Sequence, residues 1–296
     1  MGSKFVIYVA LASDLGIAII KFIAAAATGS AAMLSEGIHS IIDATNQLLL
    51  LTGIKRSQKK PDAERPFGYG RELYFWSFIV SLLLFSVGGC ISFYEGILQF
   101  QRRTQPKDIT WNYIVLAVAF VLTIISLTIT FKKFNKQRGE LSFWKAFTKS
   151  KDPAIFIVLL SDFGDLAGLV IAFLGVYLGH YFHDPYYDAV ASMIIGSILV
   201  VISLLLVREC RSLLMGESAG RKTLQAIITL AESDVDIIKV KQHYSIYLAP
   251  EEVVLQLMVV FKKNLSTKEI ADAIRRVREN IRQLFPYIKQ IFIEPE

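Results

Sequence analysis

Residues 153–178 read PAIFIVLLSDFGDLAGLVIAFLGVYL, a block in which Asp162 and Asp165 are the only charged side chains. About twenty apolar residues in a helix, at 1.5 Å of rise each, cross a roughly 30 Å hydrocarbon slab, so this block is long enough to span a membrane. Five more windows of the same kind stand around it, at about 5–28, 32–54, 73–99, 111–131 and 187–207. The chain has 296 residues, mean hydropathy +0.46, 53% hydrophobic and 20% charged side chains, which excludes an ordinary soluble domain. The expectation is an α-helical membrane protein with six transmembrane helices over 1–209.

Charge outside the windows sets the orientation. Thirteen Lys and Arg side chains lie between the second and third windows (Lys55 to Arg71) and between the fourth and fifth (Lys132 to Lys151), against three, Arg102, Arg103 and Lys107, in the opposite loops. Cytoplasmic loops carry the excess of Lys and Arg, so both termini are expected in the cytoplasm. The same clustering accounts for the net charge of +6 without nucleic acid as a partner. The run Ala24 to Ala27 in the first window has the small residues of a signal-peptide cleavage site, but Asp14 and Lys21 do not suit a short uncharged signal core, and the expectation is a retained helix. Two cysteines, Cys90 and Cys210, build neither a disulfide framework nor a CxxC metal knuckle.

After Glu209 the composition changes. A helix over 222–233, an extended stretch over 235–248 and a strand over 253–262 are followed by Ser266 or Thr267 as a helix cap. Ile270, Ile274, Val277, Ile281 and Leu284 then recur at helical spacing before Pro286, and a last strand covers 288–293. This αββαβ order over 210–296 suits a small ferredoxin-like α+β domain on the cytoplasmic side.

The polar residues inside the windows carry the chemistry. A charged side chain at the bilayer centre costs about 2.5–3.5 kcal/mol on insertion scales and calls for a partner or a purpose. The second window holds Glu36, His39, Asp43, Asn46 and Gln47, spaced along one helical face, and the fifth holds Ser161, Asp162 and Asp165. One imidazole with two or three carboxylates is a nitrogen and oxygen set for a divalent transition ion such as zinc. Because such ligands lose protons when they bind metal, the site couples metal to protons. Asp14 faces the bundle as an ion-path residue, while Lys21, seven residues on, is expected to snorkel to a surface.

The stretches TGSAAMLSEGIHSIIDATNQ, RPFGYGRE, SDFGD, HDPYYDAVAS and SLLMGES, in that order along the chain, resemble the cation diffusion facilitator family, and most closely its branch of mitochondrial zinc-transporter homologues. The resemblance implies a homodimeric, proton-coupled exporter of divalent transition metals, zinc first, that alternates access between the second and fifth helices. It implies His39, Asp43 and Asp165 as metal ligands. Ser161 stands where the family commonly has His or Asp; a neutral hydroxyl is a poor zinc ligand, so Asp162 is expected to complete the set. Ser161, Glu36, Asn46 and Asp14 are then second-shell or ion-path residues. An oxygen-rich set also suits manganese, iron(II), cobalt or cadmium, with no cofactor beyond the transported metal. Tyr69 and Phe292 to Glu294 replace the residues that accessory zinc sites would need, and His243 is read as a surface or core histidine. The expected setting is a bacterial inner membrane, with an organelle membrane as the alternative. The rival functions are a metal-gated sensor or channel, and an intramembrane aspartyl enzyme using Asp43 and Asp165.

Overall fold

The computed structural model describes residues 3–28, 31–102, 109–138, 142, 146, 151–182, 184 and 186–296. The chain divides into two compact units. The first comprises Met1–Gln58 and Glu72–Arg211; the second comprises Lys59–Arg71 and Ser212–Glu296. The segment Lys59–Arg71 is thus grouped with the C-terminal unit, whose main part begins at Ser212.

The first unit is helical: α1 (Ser3–Thr28), α2 (Ala31–Ser57), α3 (Arg71–Leu83), a π-helical segment (Leu84–Ile91), α4 (Ser92–Arg102), α5 (Ile109–Arg138), α6 (Pro153–Phe182) and α7 (Tyr186–Met215). α3, the π segment and most of α4 form one continuous span, Arg71–Gln101. Among the described residues five helices are long and apolar enough to cross a membrane, namely α1, the α3–α4 span, α5, α6 and α7. The described part of α2 is not among them, because His39, Asp43, Asn46 and Gln47 dilute its apolar content. α2 nevertheless covers the expected second window and packs along α1. Its polar residues face that bundle and its Leu50 is fully buried.

Small residues allow close packing within this unit, as is common where lipid supplies no hydrophobic drive between helices. At Gly196 of α7 a Cβ would come within 2.5 Å of the Phe93 backbone nitrogen of α4, and at Gly175 of α6 one would come within 2.6 Å of the Ala191 Cβ of α7. The end of α6 carries an aromatic ladder. Phe173 and Tyr177 stack at 6.4 Å, as do Tyr177 and Tyr181, and all three are exposed on the isolated chain. Such residues gather at membrane–water interfaces. His180 belongs to the last turn of α6.

The second unit has the expected αββαβ order: α8 (Arg221–Glu232), β1 (Ile237–Ala249), β2 (Glu252–Phe261), α9 (Thr267–Leu284) and β3 (Ile288–Pro295). β2 is central, antiparallel to β1 and parallel to β3. Val253, Leu255, Leu257 and Val259 alternate onto the face covered by Ala273, Val277 and Ile281 of α9, forming one buried core. Ser266 accepts a hydrogen bond from Glu269 N–H while the Glu269 carboxylate accepts one from Ser266 N–H, which closes a capping box.

Segment Lys59–Arg71 is tied to this unit by close backbone approach. A Cβ on Gly70 would lie 2.7 Å from the Leu248 carbonyl oxygen at the end of β1. Within the segment Asp62 accepts hydrogen bonds from the N–H groups of Glu64 and Arg65, and from the Tyr69 hydroxyl at 2.5 Å. These donors, Tyr69 first, hold its carboxyl below the usual carboxylate range. Gly216, at the end of α7, has φ +102°, and a Cβ there would meet the Ile246 side chain at 2.4 Å.

Arg276 of α9 joins the helix to the turn before β1. Its Nε and Nη2 donate to Asp234 at 2.9 and 2.8 Å, and Nη2 also donates to Asp236 at 2.7 Å. The guanidinium holds the Asp234 carboxyl below its ordinary range. A carboxyl depressed on folding adds stability that is full above the unfolded value of about 4 and is lost as pH falls through the folded value. Arg276→Ala is expected to lower stability near neutral pH and to flatten the acid limb of the stability curve, as thermal unfolding of the full chain followed by strand circular dichroism would measure.

Candidate functional site

α1 lies against α2, α5 and α6, and this arrangement brings polar residues of three helices to one cavity. Its wall is made by Asp14 of α1, Asp43, Asn46, Gln47 and Leu50 of α2, Val80 and Leu84 of the third span, and Ile157, Ser161 and Asp165 of α6. The helical period explains the selection. Asp43, Asn46 and Gln47 stand at i, i+3 and i+4, and Ser161 and Asp165 at i and i+4, so each set presents one stripe. Lys21, seven residues after Asp14 on the same face of α1, acts electrostatically on both Asp43 and Asp165 and so contributes to the site's charge balance.

His39 sits one turn before Asp43, with Nε2 3.9 Å from Asp43 Oδ2 and both side chains about a third exposed. The distance is too long for a hydrogen bond, and His39 is not part of the cavity wall. Glu36 lies on the α2 backbone, and its side chain is outside what the structure describes. Asn46 and Gln47 are almost fully buried. Gln47 was noted in the sequence as part of the polar face without a role; its burial opposite Asp14 could not be read from spacing within one helix.

Asp162 is held by α5. Its Oδ2 accepts a hydrogen bond from Ser126 Oγ at 2.7 Å, with Thr130 Oγ1 at 3.4 Å, both on α5. The carboxylate is 5% exposed and turned away from the cavity that holds Ser161 and Asp165. In this conformation two hydroxyls of α5, rather than the cavity, hold the carboxylate that was expected to complete the ligand set. Ser161, expected behind the ligands, is in the wall itself. Its hydroxyl has a small reach, which is why a helix-spacing argument could not separate the two neighbours.

Among the described residues no three His, Cys, Asp or Glu side chains converge closely enough to hold one ion. Asp14, Asp43 and Asp165 face a common space without closing on a common point. Such an arrangement can admit a cation from three sides and must contract to coordinate it.

Comparison with known proteins agrees with the geometry. Residues 7–215 match the family profile described as the cation efflux transmembrane domain. The chain is 32% identical over 219 residues to the mouse protein named proton-coupled zinc antiporter SLC30A9, mitochondrial, covering 73% of this chain and 39% of that protein. It is 24% identical over 209 residues to metal tolerance protein C4 of Arabidopsis thaliana, covering 70% of this chain and 46% of that protein. It is 25% identical over 275 residues to the manganese efflux system protein MneP of Bacillus subtilis, covering 89% and 86%. The chain thus spans about two fifths of the length of the mammalian relatives, and most of the length of the bacterial one. With a helical bundle, a small α+β unit after it in the chain and a profile match over more than half its length, the chain belongs to the cation efflux, or cation diffusion facilitator, family.

Proposed function

We propose that this chain exports a divalent transition metal across a membrane in exchange for protons. The observation that carries the reading is the cavity to which α1, α2 and α6 contribute Asp14, Asp43 and Asp165. Carboxylates in a bundle of lipid-crossing helices are costly unless something compensates them, and a transported cation or a proton does so in turn. Metal and protons compete for the same oxygens, so each metal bound releases protons. Lys21 supplies a resident positive charge that moderates the repulsion between Asp43 and Asp165 between these events.

In this reading the metal reaches the cavity from the cytoplasm, passing His39, and meets Asp43 and Asp165 as ligands. Contraction of α1, α2 and α6 around the ion favours one packing of the bundle; release and protonation favour the other. Ser126 and Thr130 keep Asp162 satisfied by hydrogen bonds, which makes it a brace between α5 and α6 rather than a carrier. Zinc and manganese are the leading cargoes, since both occur in the names of relatives. The excess of Lys and Arg in alternate loops supports cytoplasmic termini. The near full-length match to a bacterial protein supports a bacterial inner membrane, with an organelle membrane as the alternative. Assembly as a homodimer is part of the proposal through the family resemblance.

Two tests follow from this assignment. In proteoliposomes loaded with a metal-sensing dye, Asp43→Ala is expected to lower zinc and manganese flux by about a hundredfold or more, to background, while the purified variant elutes like the wild type. Flux retained in Asp43→Ala would refute the assignment. Asp162→Asn keeps an acceptor oxygen for the α5 hydroxyls, so it is expected to change flux by less than about threefold, with a few degrees of change in the melting temperature. A loss as deep as that of Asp43→Ala would return Asp162 to the ligand set.

A further inference from the structure

Three buried oxygen atoms at the cavity have no hydrogen-bond partner among the described residues: Oδ2 of Asp14, Oδ1 of Asn46 and Oε1 of Gln47. Asn46 is 4% exposed and Gln47 6%. All three side chains belong to the wall that also contains Asp43, Ser161 and Asp165. Burying an acceptor without a donor is unfavourable, and three such atoms beside two further carboxylates favour a positively charged occupant.

The donor chemistry narrows the occupant. The six polar side chains of the wall offer carboxylate, carboxamide and hydroxyl oxygens. The amide nitrogens of Asn46 and Gln47 carry hydrogens and do not bind metals. His39, the nitrogen ligand, lies outside this wall, and neither cysteine is in it. Zinc favours four ligands with nitrogen or sulfur among them. An all-oxygen set with more than four donors suits a larger ion of octahedral habit, and among the transition ions this is manganese(II). Magnesium shares the preference but sheds its water reluctantly and rarely accepts a site made wholly of protein.

We infer that Asp14 of α1, with Asn46 and Gln47 of α2, forms an oxygen-only subsite that extends the carboxylate pair Asp43 and Asp165 and selects manganese(II) over zinc. This deepens the transport reading and rests on it. α1 touches both α2 and α6, so the contraction needed to bring the oxygens onto one ion is a movement of helices already in contact. Asp43, Asn46 and Gln47 share a stripe of α2, which lets a single rotation carry all three inward.

The test uses the purified full chain, with manganese(II) and zinc(II) chlorides as probes, binding followed by calorimetry and flux in proteoliposomes. Asp14→Asn is expected to weaken manganese binding about tenfold more than zinc binding. Adding Asn46→Asp to that variant returns a carboxylate to the other side of the subsite and is expected to recover most of the manganese affinity. Equal loss for both metals, or no loss for either, would overturn the subsite. Lack of recovery in the double variant, when it elutes as the wild type does, would also overturn it, because a purely structural defect is not repaired by moving the charge. Displacement of bound manganese by equimolar magnesium would overturn the choice of ion. Binding that depends on Asp14, without any flux in the wild type, would leave the subsite standing and refute transport; flux indifferent to Asp14 would do the reverse.

Discussion

Carboxylates buried among lipid-crossing helices are the constraint on which the rest of the bundle depends. Each calls for compensation, and the structure treats them in three ways. Asp162 receives the hydroxyl of Ser126, and with it a link between α5 and α6. Asp43 and Asp165 feel the ammonium of Lys21 from α1. Asp14 keeps one oxygen aimed into the cavity with no protein donor among the described residues. α1, which carries both Lys21 and Asp14, lies against α2, α5 and α6.

Packing elsewhere serves the same end by different means. Gly175 and Gly196 let α6 and α4 approach α7 closely, and close approach of backbones gives rigid contacts that can shift as blocks. The π-helical segment Leu84–Ile91 begins four residues after Val80, and Val80 and Leu84 are both part of the cavity wall. A π turn carries a wider, weaker hydrogen-bond ladder and is often found at functional positions. On the other unit, α2 leads by chain connection into the segment Lys59–Arg71, whose Gly70 is pressed on the end of β1. The helix bearing His39 and Asp43 is thus continuous in sequence with a segment anchored to the C-terminal sheet.

Much of this architecture was legible beforehand. Apolar windows identified every long helix, and the alternation of Val253, Leu255, Leu257 and Val259 identified the central strand, because both signals reflect burial that repeats with the backbone period. The Ser266 cap was legible too, since its reciprocal partner Glu269 is three residues away. Helix ends ran several residues past the windows, α7 reaching Met215, because polar residues continue a helix beyond the lipid without an apolar signature. The π segment had no sequence signal. For the site, the stripe on α2 was visible, but contacts between helices were not. Ser161 and Asp162 differ by one residue and both lie near Asp165 in helical projection, so only the hydroxyls of Ser126 and Thr130 on a distant helix decide which way Asp162 turns.

The central claim is exchange of metal for protons through this cavity. The most direct measurement is flux of zinc and manganese into proteoliposomes of the wild-type chain, with a lumenal pH dye, under pH gradients of either sign. The account predicts that metal entry raises the lumenal pH as protons leave, and that reversing the pH gradient reverses net metal movement against a small metal gradient. Metal that always runs down its own gradient, with no change of lumenal pH, would contradict it and make the protein a passive conductor.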